Sequence, residues 1–188
     1  RPTDGNGLLT LTENTLVRSR TLDGLEWSAL NEAFFVVGGS APVEPWDVVP
    51  SEIHYNPTGP DEAEFIELHN RSGHAVNLRG AFFSDGIEFF FPDNRDVLLA
   101  PGERVLVVDS HFGVDAEYGI GLPIVGVYRG SLNNGGETLV LMAPDGVTEL
   151  FNVTYDGAAP WPEEADGDGR SLVLVDETTP NNPASWSP

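Results

Sequence analysis

The stretch EFIELHN, residues 64–70, places apolar side chains beside two carboxylates and a histidine. Two interpretations compete for it: a catalytic carboxylate next to a histidine, or a β-strand with one wet face. A strand directs successive side chains to opposite faces of its sheet, so Ile66 and Leu68 would enter a core. Its Glu and Asn side chains are then expected to hold loops and strand ends through backbone hydrogen bonds. The alternation favours the strand.

Similar short runs, rich in β-branched and aromatic residues, continue along the chain between clusters of Gly, Pro, Asn and Asp, and helical periodicity is nearly absent. The run Val105–Val108 is apolar on both faces, which is typical of a central strand. Many short strands at this spacing indicate an all-β sandwich or barrel. The predicted strands are Leu8–Thr12, Thr15–Leu22, Ala33–Val37, Val48–Ile53, Glu64–Asn70, Ala75–Leu78, Ala81–Ser84, Glu88–Phe91, Arg104–Asp109, Thr138–Ala143, Thr148–Val153 and Ser171–Val175.

Charge limits the classes of partner. Thirty Asp and Glu residues stand against nine Arg and no Lys, a formal net charge of -21 over 188 residues. Such a field repels phosphate backbones and anionic lipids, so we expect neither nucleic acid binding nor membrane insertion. Cysteine is absent, which excludes disulfides and thiolate metal sites.

The order of the motifs matches a known family. The segments VVPSEIHYNP, EFIELHN, VNLRGAFFSDG, LAPGERVLVV, SLNNGGETLVLMAPDG, DGDGRSLVLVD and NNPASW, from about Val48 to Trp186, together resemble the bacterial form of the lamin tail domain. This resemblance implies an immunoglobulin-like β-sandwich without a known active site or cofactor. In bacteria such a domain is usually one module of a large secreted or surface protein. The implied partners are neighbouring domains of that protein, and a glycan or protein at a cell surface.

The N-terminal residues resemble a different family. The segment LTLTENTLVRSRTLDGLEWSALNEAFFVV is similar to the last strands of chitobiase-type, fibronectin-like domains. We therefore predict a truncated fibronectin-like piece at 1–40, forming an extra N-terminal β-hairpin, a linker at 41–46 and a lamin tail domain at 47–188. So short a piece cannot bury a two-sheet core by itself. We expect its apolar residues Phe34, Phe35 and Val37 to pack against the sandwich or a second chain.

Two strands carry residues that depart from the family pattern. Pro50 cannot donate a ladder hydrogen bond, which predicts an edge position or a bulge. Histidines occupy positions that more often hold Met and Tyr, and each shares a strand face with a glutamate. If the two strands are neighbours, these side chains could bind a transition metal, and the alternative is that they form the wet side of the sandwich. The four residues are Glu52, His54, Glu67 and His69.

An acidic loop, PEEADGDGRS, is a candidate calcium site. Dense carboxylates with glycines that permit tight wrapping suit calcium, but the loop lacks the full EF-hand pattern. The alternative is a Gly-rich turn whose Asp side chains cap their own backbone. The candidate ligands are Glu163, Glu164, Asp166 and Asp168.

Tryptophans in Pro-rich surroundings are candidates for stacking on a sugar. Trp46, Trp161 and Trp186 have this context, and Trp161, between two prolines, is expected to be the most exposed. The alternative is that each ring plugs an end of the sandwich, which we favour for Trp186.

No catalytic residues are predicted, because nucleophile elbow, Walker, zinc-protease and cysteine nucleophile signatures are all missing. Ser110 and His111 are adjacent, and on a strand they would face opposite ways. We therefore expect a non-enzymatic extracellular structural, adhesion or targeting module. The alternatives are a calcium-dependent carbohydrate-binding module and a hydrolase domain whose pocket joins two carboxylates.

Overall fold

A computed structural model describes residues 8–37 and 40–188. Contacts between Cα atoms divide the chain into two compact units, Arg1–Ala41 and Pro42–Pro188. In the described residues, no helix is both long and apolar enough to cross a membrane.

The first unit contains two nested antiparallel pairs. The outer strands are β1 (Thr15–Ser19) and β4 (Asn31–Phe35), and the inner pair is β2 (Leu22–Asp23) and β3 (Glu26–Trp27). Gly24 opens the inner turn with φ 63°, a conformation that favours glycine. The predicted N-terminal hairpin is therefore confirmed.

Details of this unit differ from the sequence prediction. No strand forms at Leu8–Thr12, where the described chain is irregular, so that predicted strand is wrong. Phe35 is 47% exposed and Val37 is partly buried. The side chain of Phe34 lies outside the described part of the chain, and the predicted packing of this segment stays a prediction.

The remaining strands and one α-helix follow in chain order. They are β5 (Ala41–Pro42), β6 (Val48–His54), β7 (Phe65–Asn70), β8 (Val76–Asn77), β9 (Phe82–Asp85), β10 (Phe89–Phe90), β11 (Leu98–Leu99), β12 (Arg104–Val108), α1 (His111–Tyr118), β13 (Ile124–Val127), β14 (Glu137–Met142), β15 (Glu149–Tyr155), β16 (Leu172–Leu174) and β17 (Trp186–Ser187). Short 3-10 turns occupy Asp61–Ala63, Glu163–Ala165 and Pro183–Ser185.

Two sheets form the sandwich of the second unit. The larger has the order β13-β12-β7-β6-β16-β17, and the smaller has the order β10-β9-β14-β15. Neighbours are antiparallel except for β12 and β13, which are parallel. A separate three-stranded sheet has the order β11-β8-β5, in which β11 and β8 are antiparallel. The predicted all-β, immunoglobulin-like sandwich is confirmed.

Side chains from both sheets meet in one hydrophobic core. Ile53, Ile66 and Leu68 of the larger sheet are fully buried there, and Leu139 and Leu141 enter from the smaller sheet. Burial of apolar area on this scale is the main favourable term in folding. The alternation in residues 64–70 therefore directs Ile66 and Leu68 into the core, as predicted.

Strand β6 contains an irregularity at its proline. The register with β7 shifts between Pro50 and Glu52, which is a bulge or irregularity of the ladder. The missing N–H of proline fits such a position, so the predicted bulge is confirmed.

Helix α1 was not predicted, and it covers one end of the outer face of the larger sheet. Its Val114 packs with Phe65, Leu106 and Val108 in a second apolar cluster. The Ser110 side chain caps the helix by accepting a hydrogen bond from the Gly113 amide. Eight residues with an internal glycine are too short for a clear helical period. The assumption that Ser110 and His111 belong to a strand is therefore wrong.

Candidate functional site

The predicted transition-metal residues all lie on β6 and β7, which are neighbours in the larger sheet. Glu52 and Glu67 face each other in register, whereas His54 pairs with Phe65 and His69 pairs with Val49. The histidines therefore flank the carboxylates on opposite sides, about 13 Å apart along the sheet. The four side chains do not converge. Across residues 8–37 and 40–188, no group of three or more His, Asp or Glu side chains is arranged to hold a metal ion.

Both carboxylates on this face have partners from the protein itself. Glu67 Oε1 accepts hydrogen bonds from Arg104 Nη1 at 2.9 Å and from Ser51 Oγ at 2.7 Å. Glu52 Oε1 accepts one from Ser171 Oγ at 2.5 Å. Burial raises the pKa of Glu52, the Ser171 bond opposes that shift, and the nearby Glu67 charge adds to it.

The two histidines have different environments. His69 Nδ1 lies 2.5 Å from Oε1 of Glu177, a partly exposed pair. His54 is only 3% exposed, with its ring centroid 5.5 Å from that of Phe65 and 5.8 Å from that of Tyr118. Burial lowers the pKa of His54, because the charged imidazolium is poorly solvated there. This histidine was expected on the wet side, but it is buried against the rings of Phe65 and Tyr118.

The predicted calcium ligands are divided between two surroundings. Glu163, Glu164 and Asp168 line a surface depression of about 430 Å³. Asp166 instead accepts a 2.7 Å hydrogen bond from Asn56 Nδ2. Gly167 and the second loop glycine have φ of 88° and 82°, so the loop wraps tightly as expected. Calcium binding stays a prediction.

Trp161 is not exposed, and this expectation is wrong. The residue is 9% exposed and belongs to the main core, where its ring centroid lies 6.0 Å from that of Trp186. Two large rings at the end of the sandwich remove more apolar area from water by packing together than by facing solvent. Trp186 is 4% exposed and donates from Nε1 to the Pro180 carbonyl at 2.7 Å, which confirms that it plugs the sandwich.

The polar ends of the stretch 64–70 hold loops, as predicted. Asn70 is fully buried, and its Nδ2 donates to the carbonyls of His74, Leu99 and Ala100 at 2.9 to 3.0 Å. Its Oδ1 accepts from the Ser72 amide at 3.0 Å. One side chain therefore fixes two turns at the end of β7.

Glu64, at the other end of the stretch, is the most perturbed carboxylate among the described residues. It is 1% exposed and accepts hydrogen bonds from Tyr128 Oη at 2.8 Å and the Leu132 amide at 2.9 Å. Burial raises its pKa to about 7, although both hydrogen bonds oppose the shift. Nothing in the local sequence distinguishes it from a solvated glutamate, because its partners lie more than sixty residues away.

A polar depression of about 370 Å³ lies beside Glu64 and includes Asp61 and Glu137. It is the arrangement that a hydrolase hypothesis would require. However, Glu64 is enclosed, and Glu137 Oε1 accepts bonds from the Asn133 amide and Tyr155 Oη, each at 3.0 Å. Both carboxylates therefore brace loops.

Another depression, of about 460 Å³, includes Trp46. Its other lining residues are Arg71 and residues 177–182 of the loop before β17. Sequence reasoning named Trp46 as a candidate ring but could not place residues 177–182 beside it, because that loop is more than a hundred residues distant.

The structure is that of an immunoglobulin-like module. It has two packed sheets, an enclosed core and buried polar side chains that hold its loops through hydrogen bonds. A family model described as Lamin Tail Domain matches residues 44–157, more than half of the chain, and the chain belongs to this family. The segments DGDGRSLVLVD and NNPASW lie beyond the matched residues. No curated protein and no solved structure gives a significant match.

Proposed function

We propose that this chain is a non-catalytic structural, adhesion or targeting module of a larger secreted or surface protein. The observation that carries the proposal is that its ionisable groups brace the scaffold. Glu64 holds Tyr128 and the loop at Leu132, and Glu67 holds Arg104. A carboxylate with such partners positions strands and loops, whereas a general acid or base must contact the proton that it transfers.

The proposed location rests on the chemistry of the surface. A net charge of -21 keeps a module soluble and discourages adsorption to anionic lipid or nucleic acid. Salt screens the self-repulsion of such a surface, which suits an extracellular medium of high ionic strength. Its partners would be the neighbouring domains of the parent protein and a ligand at a cell surface.

Absence of catalysis is tested with aryl glycosides, aryl esters and aryl phosphates. We expect no turnover above that of heat-inactivated protein. A rate that disappears in both Glu64→Gln and Glu137→Gln, with the fold intact by circular dichroism, would overturn the proposal in favour of a hydrolase using the depression beside Glu64.

Location is tested with an antibody raised against residues 42–188. Intact cells of the source organism, or their culture medium, should react with it. An antibody against a cytoplasmic enzyme serves as the control and should react only after permeabilisation. If both antibodies behave alike, the extracellular assignment is wrong.

A further inference from the structure

Trp46 occupies a backbone conformation that a bulky side chain rarely adopts. It follows Pro45 in a turn closed by the Asp47 amide, which donates to the Glu44 carbonyl at 3.1 Å, while the Glu44 amide donates to Asp47 Oδ2 at 2.9 Å. Trp46 has φ 68°, and among the described residues it is the only one other than glycine with positive φ. Turns of this shape select glycine or asparagine at that position, so a tryptophan there costs free energy.

The Trp46 side chain contacts both the core and a surface depression. Part of it packs against the main core, since Trp46 is half-buried among the residues that border that core. It also lines the depression of about 460 Å³, together with Arg71, Thr178, Asn181 and Asn182. Core packing alone does not explain why Trp46, with its strained backbone, places an aromatic ring beside this depression.

Residues that line the depression together with Trp46 are held in place by hydrogen bonds. Arg71 Nη1 donates to the Glu177 carbonyl. Asn181 Oδ1 accepts from the Thr154 amide at 2.9 Å, and its Nδ2 donates to the Asn152 carbonyl at 2.9 Å. A wall fixed in this way loses little conformational entropy when a ligand binds.

The composition of the depression indicates its ligand. An indole ring packs against the C–H groups of a pyranose ring, while the guanidinium of Arg71 and the side-chain amide of Asn182 are donors suited to its hydroxyls. The net charge of -21 disfavours uronates and sulfated sugars. We propose that the Trp46 depression binds a neutral saccharide unit. This inference rests on the adhesion or targeting role proposed above and names its ligand, whereas the absence of catalysis is tested separately with the aryl substrates.

The test uses isothermal titration of the full chain with cellohexaose, chitohexaose, xylohexaose and mannohexaose. At least one should bind, and hexagalacturonate should bind more weakly than that sugar. Trp46→Ala should weaken binding about tenfold or more, whereas Trp46→Tyr should retain most of it. Trp27→Ala is the matched control, since Trp27 is 53% exposed and lies in the first unit; it should bind normally.

Folding of the variants is checked by thermal melting, and Trp46→Gly provides a second deletion that suits the positive φ. Indole Nε1 resonances in NMR spectra identify which tryptophan responds to the sugar. The proposal is overturned if none of the four neutral sugars binds at millimolar concentration, if folded Trp46→Gly binds as well as the unmodified chain, or if the responding indole is not Trp46. Binding of proline-rich peptides instead of sugars would also overturn it.

Discussion

The hydroxyl of Tyr128 donates a 2.8 Å hydrogen bond to the buried carboxyl group of Glu64. This contact joins the residue before β7 to the residue after β13, and the Leu132 amide extends it into the following loop. Because burial outweighs both hydrogen bonds, the pKa of Glu64 is raised to about 7. The Glu64 carboxyl group, which joins these two segments, therefore titrates near neutral pH.

Glu64 should make stability depend on pH. Its folded pKa of about 7 exceeds the ordinary glutamate pKa of 4.5, so the folded state binds the proton more tightly. This contribution is complete below pH 4.5 and is lost as pH rises to about 7, a decrease of about 3 kcal/mol in the free energy of unfolding. Glu64→Gln should remove this slope in urea denaturation between pH 4.5 and 8. The exposed Glu62→Gln is the control, and equal slopes in both variants would contradict the assignment.

His54 should act in the opposite direction. Its folded pKa is lowered, mainly by burial, so its contribution is present above pH 6.5 and is lost as pH falls through the folded pKa. Glu52, Glu117 and Arg170 are the charged groups near it. His54→Phe should remove this loss at acid pH, as measured by thermal melting from pH 7 to 4.5. Substitution of the exposed His111 by Gln should leave the loss unchanged.

Asn70 should be among the costliest polar side chains to remove. Asn70→Ala leaves the carbonyls of Leu99 and Ala100 without their donor in a buried site, so we expect a loss of about 3 kcal/mol in urea denaturation. Asn70→Asp should also destabilise the fold, because it presents an acceptor to those carbonyls. Asn94→Ala, at an exposed position, should change stability by less than about 0.5 kcal/mol. Comparable losses at both positions would refute the role of Asn70.

Gly113 should be irreplaceable for steric reasons. A Cβ there would lie 2.1 Å from the carbonyl oxygen of Glu62, a backbone atom that cannot rotate away. Gly113→Ala should therefore destabilise α1 and the cluster beneath it by about 1 to 3 kcal/mol in chemical denaturation. Gly73→Ala, where nothing lies within 4 Å, should be tolerated. If Gly113→Ala melts like the unmodified chain, the close approach of helix and turn is not real.

Calcium binding at the acidic loop can be measured directly. If calcium binds in the depression that Glu163, Glu164 and Asp168 line, millimolar calcium should raise the melting temperature and magnesium should raise it less. Asp168→Asn should reduce the calcium effect. An unchanged melting temperature would show that these carboxylates are hydrated surface groups that bind no calcium.

The sandwich was predictable because burial on one face imposes alternation. Ile66 and Leu68 show this alternation in the local sequence. Pro50 likewise indicates a ladder irregularity locally, because it has no N–H to donate. Helix α1 was missed because one face of two turns carries too few apolar residues to show a period. Exposure of Trp161 could not be judged from its neighbours, since the partner that buries it is Trp186.

Candidate sites were less predictable, because they depend on partners far along the chain. Alternation correctly placed Glu67 and His69 on one face. It could not show that Arg104 donates a hydrogen bond to Glu67 or that Glu177 contacts His69. Glu64 was treated as an ordinary strand-end residue, and its raised pKa follows from enclosure by the segment after β13. The depression beside Trp46 likewise exists only when the loop before β17 folds back.

The side chain of Asn181 forms hydrogen bonds with the Thr154 amide and the Asn152 carbonyl of β15, an edge strand of the smaller sheet. A strand from another molecule would need those two groups to extend that sheet. Asn181 therefore blocks this edge of the smaller sheet, and a second copy of the chain could not add a strand beside β15 without displacing it.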